Sequence, residues 1–182
     1  MSTEAIVRHC APTLAGLKVG NLFSTKYQDS QELLDSVARQ NRNLNERGVF
    51  FVLIKMQNGL ALIYVYRKHQ LEALLQTPEV QRFLARFGYS DFSVEGCLAV
   101  LKKRLMHQDF PHDIGVFLGY PLADIQAFIA NKGANCKCIG CWKAYTDLPN
   151  AEKKFALFKK CTKIYCQRFG EGTDITRLTV VG

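Results

Sequence analysis

Two adjacent pairs in this sequence carry side chains suited to nucleophilic attack and proton transfer: His9-Cys10 and His112-Asp113. A thiol becomes a nucleophile only as the thiolate, which needs nearby N–H groups, positive charge or a base. Cys10 stands just before Pro12, and proline favours the first position of a helix. A helix starting there would point unpaired N–H groups and its positive dipole end at the sulfur. In this reading His112 exchanges the proton and Asp113 orients it, also from a helix start. Lys18, Tyr120, Trp142 and Lys143 are the residues expected to complete a ligand site around these four. The plain alternative makes Cys10 a small buried residue and His9 a packing or capping residue, because free cysteine is among the most buried types.

Three other constellations have weaker chemistry. Cys136, Cys138 and Cys141 place three thiols close together, but zinc and iron–sulfur sites usually want four ligands. If Cys138 and Cys141 share a strand, alternation points them to opposite faces, so no metal is expected. The stretch "IGVFLGYPLADIQAFI" has the spacing of a helix–turn–helix. Its second helix offers Ala123, Asp124, Gln126, Ala127 and Ala130 where a base-reading helix needs Arg, Lys, Asn or Gln. A tight helical corner is the better reading, and nucleic acid is disfavoured as a partner. Between Lys143 and Arg168 seven basic residues stand against two acidic ones. Such a lysine face is usually solvated, and otherwise docks an acidic protein or an anionic ligand.

These residues need elements to hold them. The sequence predicts a short helix from Pro12 to about Lys18, stopping near Gly20, then one capped by Asp29 or Ser30 and ended by Gly48. "VFFVLIKMQNGLALIYVYR" reads as a hairpin with strands near 49–56 and 60–66 about an Asn58-Gly59 turn. Both strands are mostly apolar, so helices should cover at least one face. Helices are expected over His69–Gln76 and Pro78–Phe87, and from a Ser93 cap through Leu105. A short helix starting at Asp109 or Phe110 should end at Gly119, and another should run from Pro121 to Gly133. "CIGCWKAY" reads as a third strand, and the last long helix as about Asn150 to Phe169. The tail "TDITRLTVV" is ambiguous between helix and strand. The expected fold is α+β: about seven helices around a small, mainly antiparallel sheet, in a single domain over 1–182.

Composition agrees with that size and class. The chain is 48% apolar and 22% charged, as globular chains are. No apolar run approaches the roughly 20 residues of a membrane helix. The early Glu4 and the lack of an apolar stretch near the N-terminus argue against a signal peptide. Seven cysteines without an export signal suggest reduced thiols and a cytoplasmic location. A net charge of +8 suits an anionic small molecule or an acidic protein partner.

"RHCAPTLAGLKVGNLF", "GLALIYVYR", "FPHDIGVFLGYPLADIQAFI" and "NKGANCKCIGCWKAY" together resemble an uncharacterised domain-of-unknown-function family, number 3793, of anaerobic Gram-positive bacteria. The likeness spans nearly the whole chain. The family pattern includes His9, Cys10, Pro12, Lys18, Pro111, His112, Gly115, Gly119, Tyr120, Trp142, Lys143 and Tyr145. It usually has glutamate at Asp113 and an aromatic at Cys141, and Cys136 is not typical. A cysteine metal site would therefore be peculiar to this protein. The resemblance implies no activity and names no cofactor. The leading expectation is a small enzyme or ligand-binding protein with a Cys/His polar site. The alternatives are a non-catalytic interaction protein using its basic last helix and a nucleic-acid binder using the helical corner.

Overall fold

Helix formation begins at the first residues. Ser2 accepts a hydrogen bond from the Ala5 amide and Glu4 lies in the first turn, so α1 spans Thr3–Leu14. Ile6, Val7, Cys10, Ala11 and Leu14 recur at helical spacing, and all are buried. The expected helix start at Pro12 is thereby corrected: Pro12 sits in the last turn of α1. Its missing N–H leaves without a helical partner only the carbonyl of Arg8, an exposed residue. The helix closes about Gly16, whose φ is +73°. There Gly16 N–H donates to the Thr13 carbonyl at 3.1 Å and Leu17 N–H to the Pro12 carbonyl at 2.9 Å, a Schellman arrangement. The computed structural model describes residues 1–107 and 111–182, so the expected helix start at Asp109 or Phe110 lies outside the described residues.

After α1 come β1 (Gly20–Lys26), α2 (Ser30–Leu44), β2 (Val49–Gln57) and β3 (Leu60–Arg67). The three strands form one antiparallel sheet with β3 in the middle, in the order β1-β3-β2. Asn58 and Gly59 join β2 to β3 with φ of 52° and 71°, the paired positive angles of a type I′ turn. The third strand is thus β1. "CIGCWKAY" instead supplies β4 (Cys138–Ile139) and β5 (Lys143–Ala144), a separate two-stranded ribbon.

Alternation along β3 divides the interior. Ala61, Ile63 and Val65 pack with Phe23, Phe51, Ile6, Leu14 and Leu33, beneath α1 and α2. Tyr64 and Tyr66 face the opposite side. That side is covered by α3 (Lys68–Leu75), α4 (Pro78–Ala85), α5 (Val94–His107), α6 (Ile114–Phe117) and α7 (Leu122–Ala130). The sheet is therefore covered on both faces, which is why β3 is apolar nearly throughout. The 23-residue α8 (Leu148–Gly170) lies along α1, and the one-turn α9 (Ile175–Leu178), capped by Asp174, closes the first core. The fold is α+β, with nine helices among the described residues where about seven were expected. None of these helices is long and apolar enough to cross a membrane.

Two cations, buried Arg67 and half-buried Arg104, organise the frame. Arg67, at the end of β3, donates to the carbonyls of Thr13, Leu14, Arg47 and Val180. Arg104 on α5 grips Asp113 through two hydrogen bonds of 3.0 and 3.1 Å.

Candidate functional site

The turn after α1 and the ribbon β4–β5 bring most of the expected site residues to one side of the molecule, in two basins. The first is a cavity of about 180 Å³. Its wall is Ile114 and Gly115 from α6, Tyr120, Ile125 and Phe128 from the corner and α7, and Trp142 beside the ribbon. His112 and Lys143 stand at its edge. The close approach of α6 to α7 depends on Gly115, where a Cβ would lie 2.9 Å from Ile125 Cγ1. The helix–turn–helix look is therefore a packed corner. No Lys or Arg occurs in α7, and Asp124 points inward from it.

Asp124 is 2% exposed and fixes the aromatic wall. It accepts from Trp142 Nε1 at 2.8 Å, from the Tyr145 and Thr146 amides at 3.0 and 2.9 Å, and from Thr146 Oγ1 at 2.8 Å. Burial pushes this carboxyl up, but the four hydrogen bonds outweigh it and hold the group below the ordinary carboxylate value. Trp142 then packs on Tyr120, with centroids 5.3 Å apart, and edge-on against Phe155 at 4.5 Å. Burial, with Cys141 adding to it, pushes the Tyr120 phenol up to about 12, so its role is that of a neutral ring and hydroxyl. At the rim, His112 meets Phe128 edge-on at 5.1 Å. Lys143 Nζ lies 5.7 Å from the Phe128 centroid and donates to the Gly133 carbonyl.

The second basin is an open cleft of about 580 Å³ between α1 and α8. His9, Pro12, Lys18 and Asn21 line one side, and Phe155, Phe158, Lys159, Thr162 and Lys163 the other, with Cys141 at one end. Two lysines of the basic last helix thus face this cleft. His9 is exposed and stacks on Phe23 at 5.4 Å. Lys18 is only 8% exposed, and its Nζ lies 5.3 Å over the Tyr120 ring, on the wall shared with the first basin.

Two of the expected catalytic residues are placed otherwise than the sequence suggested. Cys10 lies in the middle of α1, at 0% exposure, among Ile6, Val7 and Leu14. Burial pushes its thiol far up, against the opposing pull of Lys18, so the premise of a helix-start thiolate fails. Asp113 has 0% exposure and is held by Arg104 and by Tyr89 Oη at 2.6 Å. Its carboxylate is committed there and does not orient His112 as expected. Treating the folded protein with iodoacetamide should therefore modify exposed Cys141 and leave Cys10 intact until unfolding, as read by peptide mass spectrometry. Early labelling of Cys10 would contradict the burial. Among the described residues no three His, Cys, Asp or Glu side chains converge as a metal site. The roles of Arg104, Tyr89 and Asp124 were missed, because each depends on contacts 9 to 24 residues apart in sequence.

Residues 6–179 match a family described as Protein of unknown function (DUF3793). No curated protein and no solved structure matches the chain.

Proposed function

The chain belongs to the DUF3793 family, and on that premise we propose that it is a single-domain binding protein for a small molecule that combines a flat apolar ring with an anionic group. The observation that carries this is the aromatic cavity and its edge. An apolar cavity of about 150 Å³ accommodates a benzene ring, and this one, at about 180 Å³, is walled by Tyr120, Phe128 and Trp142. Its edge carries His112 and Lys143, and the one carboxylate in its lining, Asp124, is already bonded to Trp142, Tyr145 and Thr146. Concave apolar sites with a few convergent polar groups are where small ligands bind. Binding is favoured over covalent catalysis because Cys10 is sealed in the core and Asp113 is tied to Arg104. A reducing, cytoplasmic setting goes with this reading, since all seven cysteines are unpaired.

Trp142 is the sole tryptophan and reports on the wall directly. Titration with benzoate should change its fluorescence saturably, with a dissociation constant in the millimolar range expected of a fragment. Neutral benzyl alcohol should bind more weakly, and Lys143→Gln should erase the difference between the two. Absence of a saturable change, or equal binding of both probes to the wild-type protein, would defeat the proposal.

A further inference from the structure

The cleft between α1 and α8 has chemistry of its own. Among the described residues no Asp or Glu lines it, whereas Lys18, Lys159, Lys163 and His9 do. Asn21 and Thr162 add neutral polar groups. The Asn21 carbonyl oxygen accepts from Thr13 Oγ1 at 2.7 Å, which leaves its amide N–H groups available to donate.

Lys18 sets this cleft apart from a solvated lysine face. It is more than nine-tenths buried. Among the described residues, the lysines that hydrogen-bond through Nζ are Lys55 and Lys143, and the lysine that forms an ion pair is Lys68. Lys18 does neither, and its Nζ lies over the face of Tyr120. Burying an ammonium group without an anion is costly, and a neutral residue would fill the space without that cost. The chain also fixes the backbone at this position: Lys18 N–H donates to the Pro12 carbonyl at 3.2 Å as part of the stop of α1. Lys18 thus lines the cleft from a turn whose backbone is fixed by this bond.

We propose that this cleft binds a phosphate-bearing small molecule, with the oxyanion seated on Lys18 and flanked by Lys159 and Lys163. A phosphate dianion suits three cations and two neutral polar groups better than a carboxylate, which brings one charge and two acceptor atoms. The site has its own lining and meets the ring cavity only where Lys18 covers Tyr120. Failure of benzoate to bind would leave it untouched.

The test uses inorganic phosphate and glycerol 2-phosphate as probes, by isothermal titration at constant ionic strength. At least one should bind saturably, and the tighter of the two identifies free phosphate or a phosphomonoester as the source. Lys18→Met keeps the apolar stem and should weaken binding by at least about tenfold. Without phosphate, its thermal midpoint should equal or exceed that of the wild type, because an unpaired buried charge has been removed. Phosphate should raise the midpoint of the wild type and not of this variant. The double variant Lys159→Gln, Lys163→Gln changes two exposed side chains, so it decides the matter even if Lys18→Met does not fold, and it too should bind more weakly. No saturable binding of either probe would overturn the proposal. So would undiminished binding in the double variant, which would locate the ion elsewhere. Binding of duplex DNA that phosphate does not displace would overturn it in favour of a macromolecular polyanion.

Discussion

Asp113→Ala should destabilise the protein by about 3–5 kcal/mol, the cost of removing one partner from a buried ion pair. That is a large share of the roughly 5–15 kcal/mol that holds a domain folded. The reason is specific. Asp113 is wholly buried, accepts two hydrogen bonds from Arg104, and accepts a third from Tyr89. Its removal leaves a guanidinium with only 18% side-chain exposure and the Phe87 carbonyl as its one remaining acceptor among the described residues, and it strips Tyr89 of its acceptor. The double variant Asp113→Leu, Arg104→Met should recover most of the loss, because apolar replacement of both partners abolishes the stranded charge. Urea denaturation of the two variants measures both effects. A cost below about 1 kcal/mol for Asp113→Ala would mean that the pair does not bear on stability, and would return this carboxylate to consideration as the orienting partner of His112.

Asp124→Ala should cost roughly 3 kcal/mol or more, at about 1–3 kcal/mol for each buried donor left unsatisfied. Trp142 Nε1 and the Tyr145 amide are the two buried donors affected. The loss should be visible optically, since the indole that reports on the cavity loses its anchor, and benzoate binding should fall with it. Acid sensitivity gives a second reading. The hydrogen bonds hold the folded carboxyl below its ordinary value despite the upward push of burial. Its contribution is therefore fully present above the unfolded value of about 3.9, and is lost as pH falls through the lower folded value. Asp124→Asn should accordingly lose less stability than the wild type on acidification below about pH 4. Equal acid denaturation curves for the two proteins would show that Asp124 is not the linked group.

The parts of this architecture that could be read from the sequence are those specified within a few residues. Asn58-Gly59 between two β-rich runs dictates the turn by its own φ preferences, and the structure has that hairpin. The capped helix at Asp29 is equally local. Pro12 pointed to a helix start because proline favours that position, whereas the Ile6, Val7, Cys10, Leu14 stripe, equally present in the sequence, marks α1. β1 escaped notice because GNLFSTK is an edge strand with polar residues at Asn21, Ser24, Thr25 and Lys26, so it lacks the apolar density that revealed its neighbours. Site residues divide in the same way. Residue type singled out His112, Tyr120, Trp142 and Lys143 from the two expected sets, and these four lie around one cavity. The isolation of Lys18 and the commitment of Asp113 and Asp124 are properties of three-dimensional neighbours, which residue type does not encode.

Arg67 has a consequence for cooperativity. Its four acceptors lie 20 to 113 residues away along the chain, at Thr13, Leu14, Arg47 and Val180. One guanidinium therefore couples the last turn of α1, the Arg47 corner and the Val180 segment into a single unfolding unit. Segments near chain ends ordinarily open at low free energy and exchange their amide protons early. Here the Val180 amide, bonded to the Leu14 carbonyl at 3.0 Å, should exchange only with the opening of the sheet's first core. Folding faces the mirror image of this constraint. The three segments must find one another across long stretches of chain before the guanidinium is fully bonded, so this closure belongs to the late, entropically slow part of assembly.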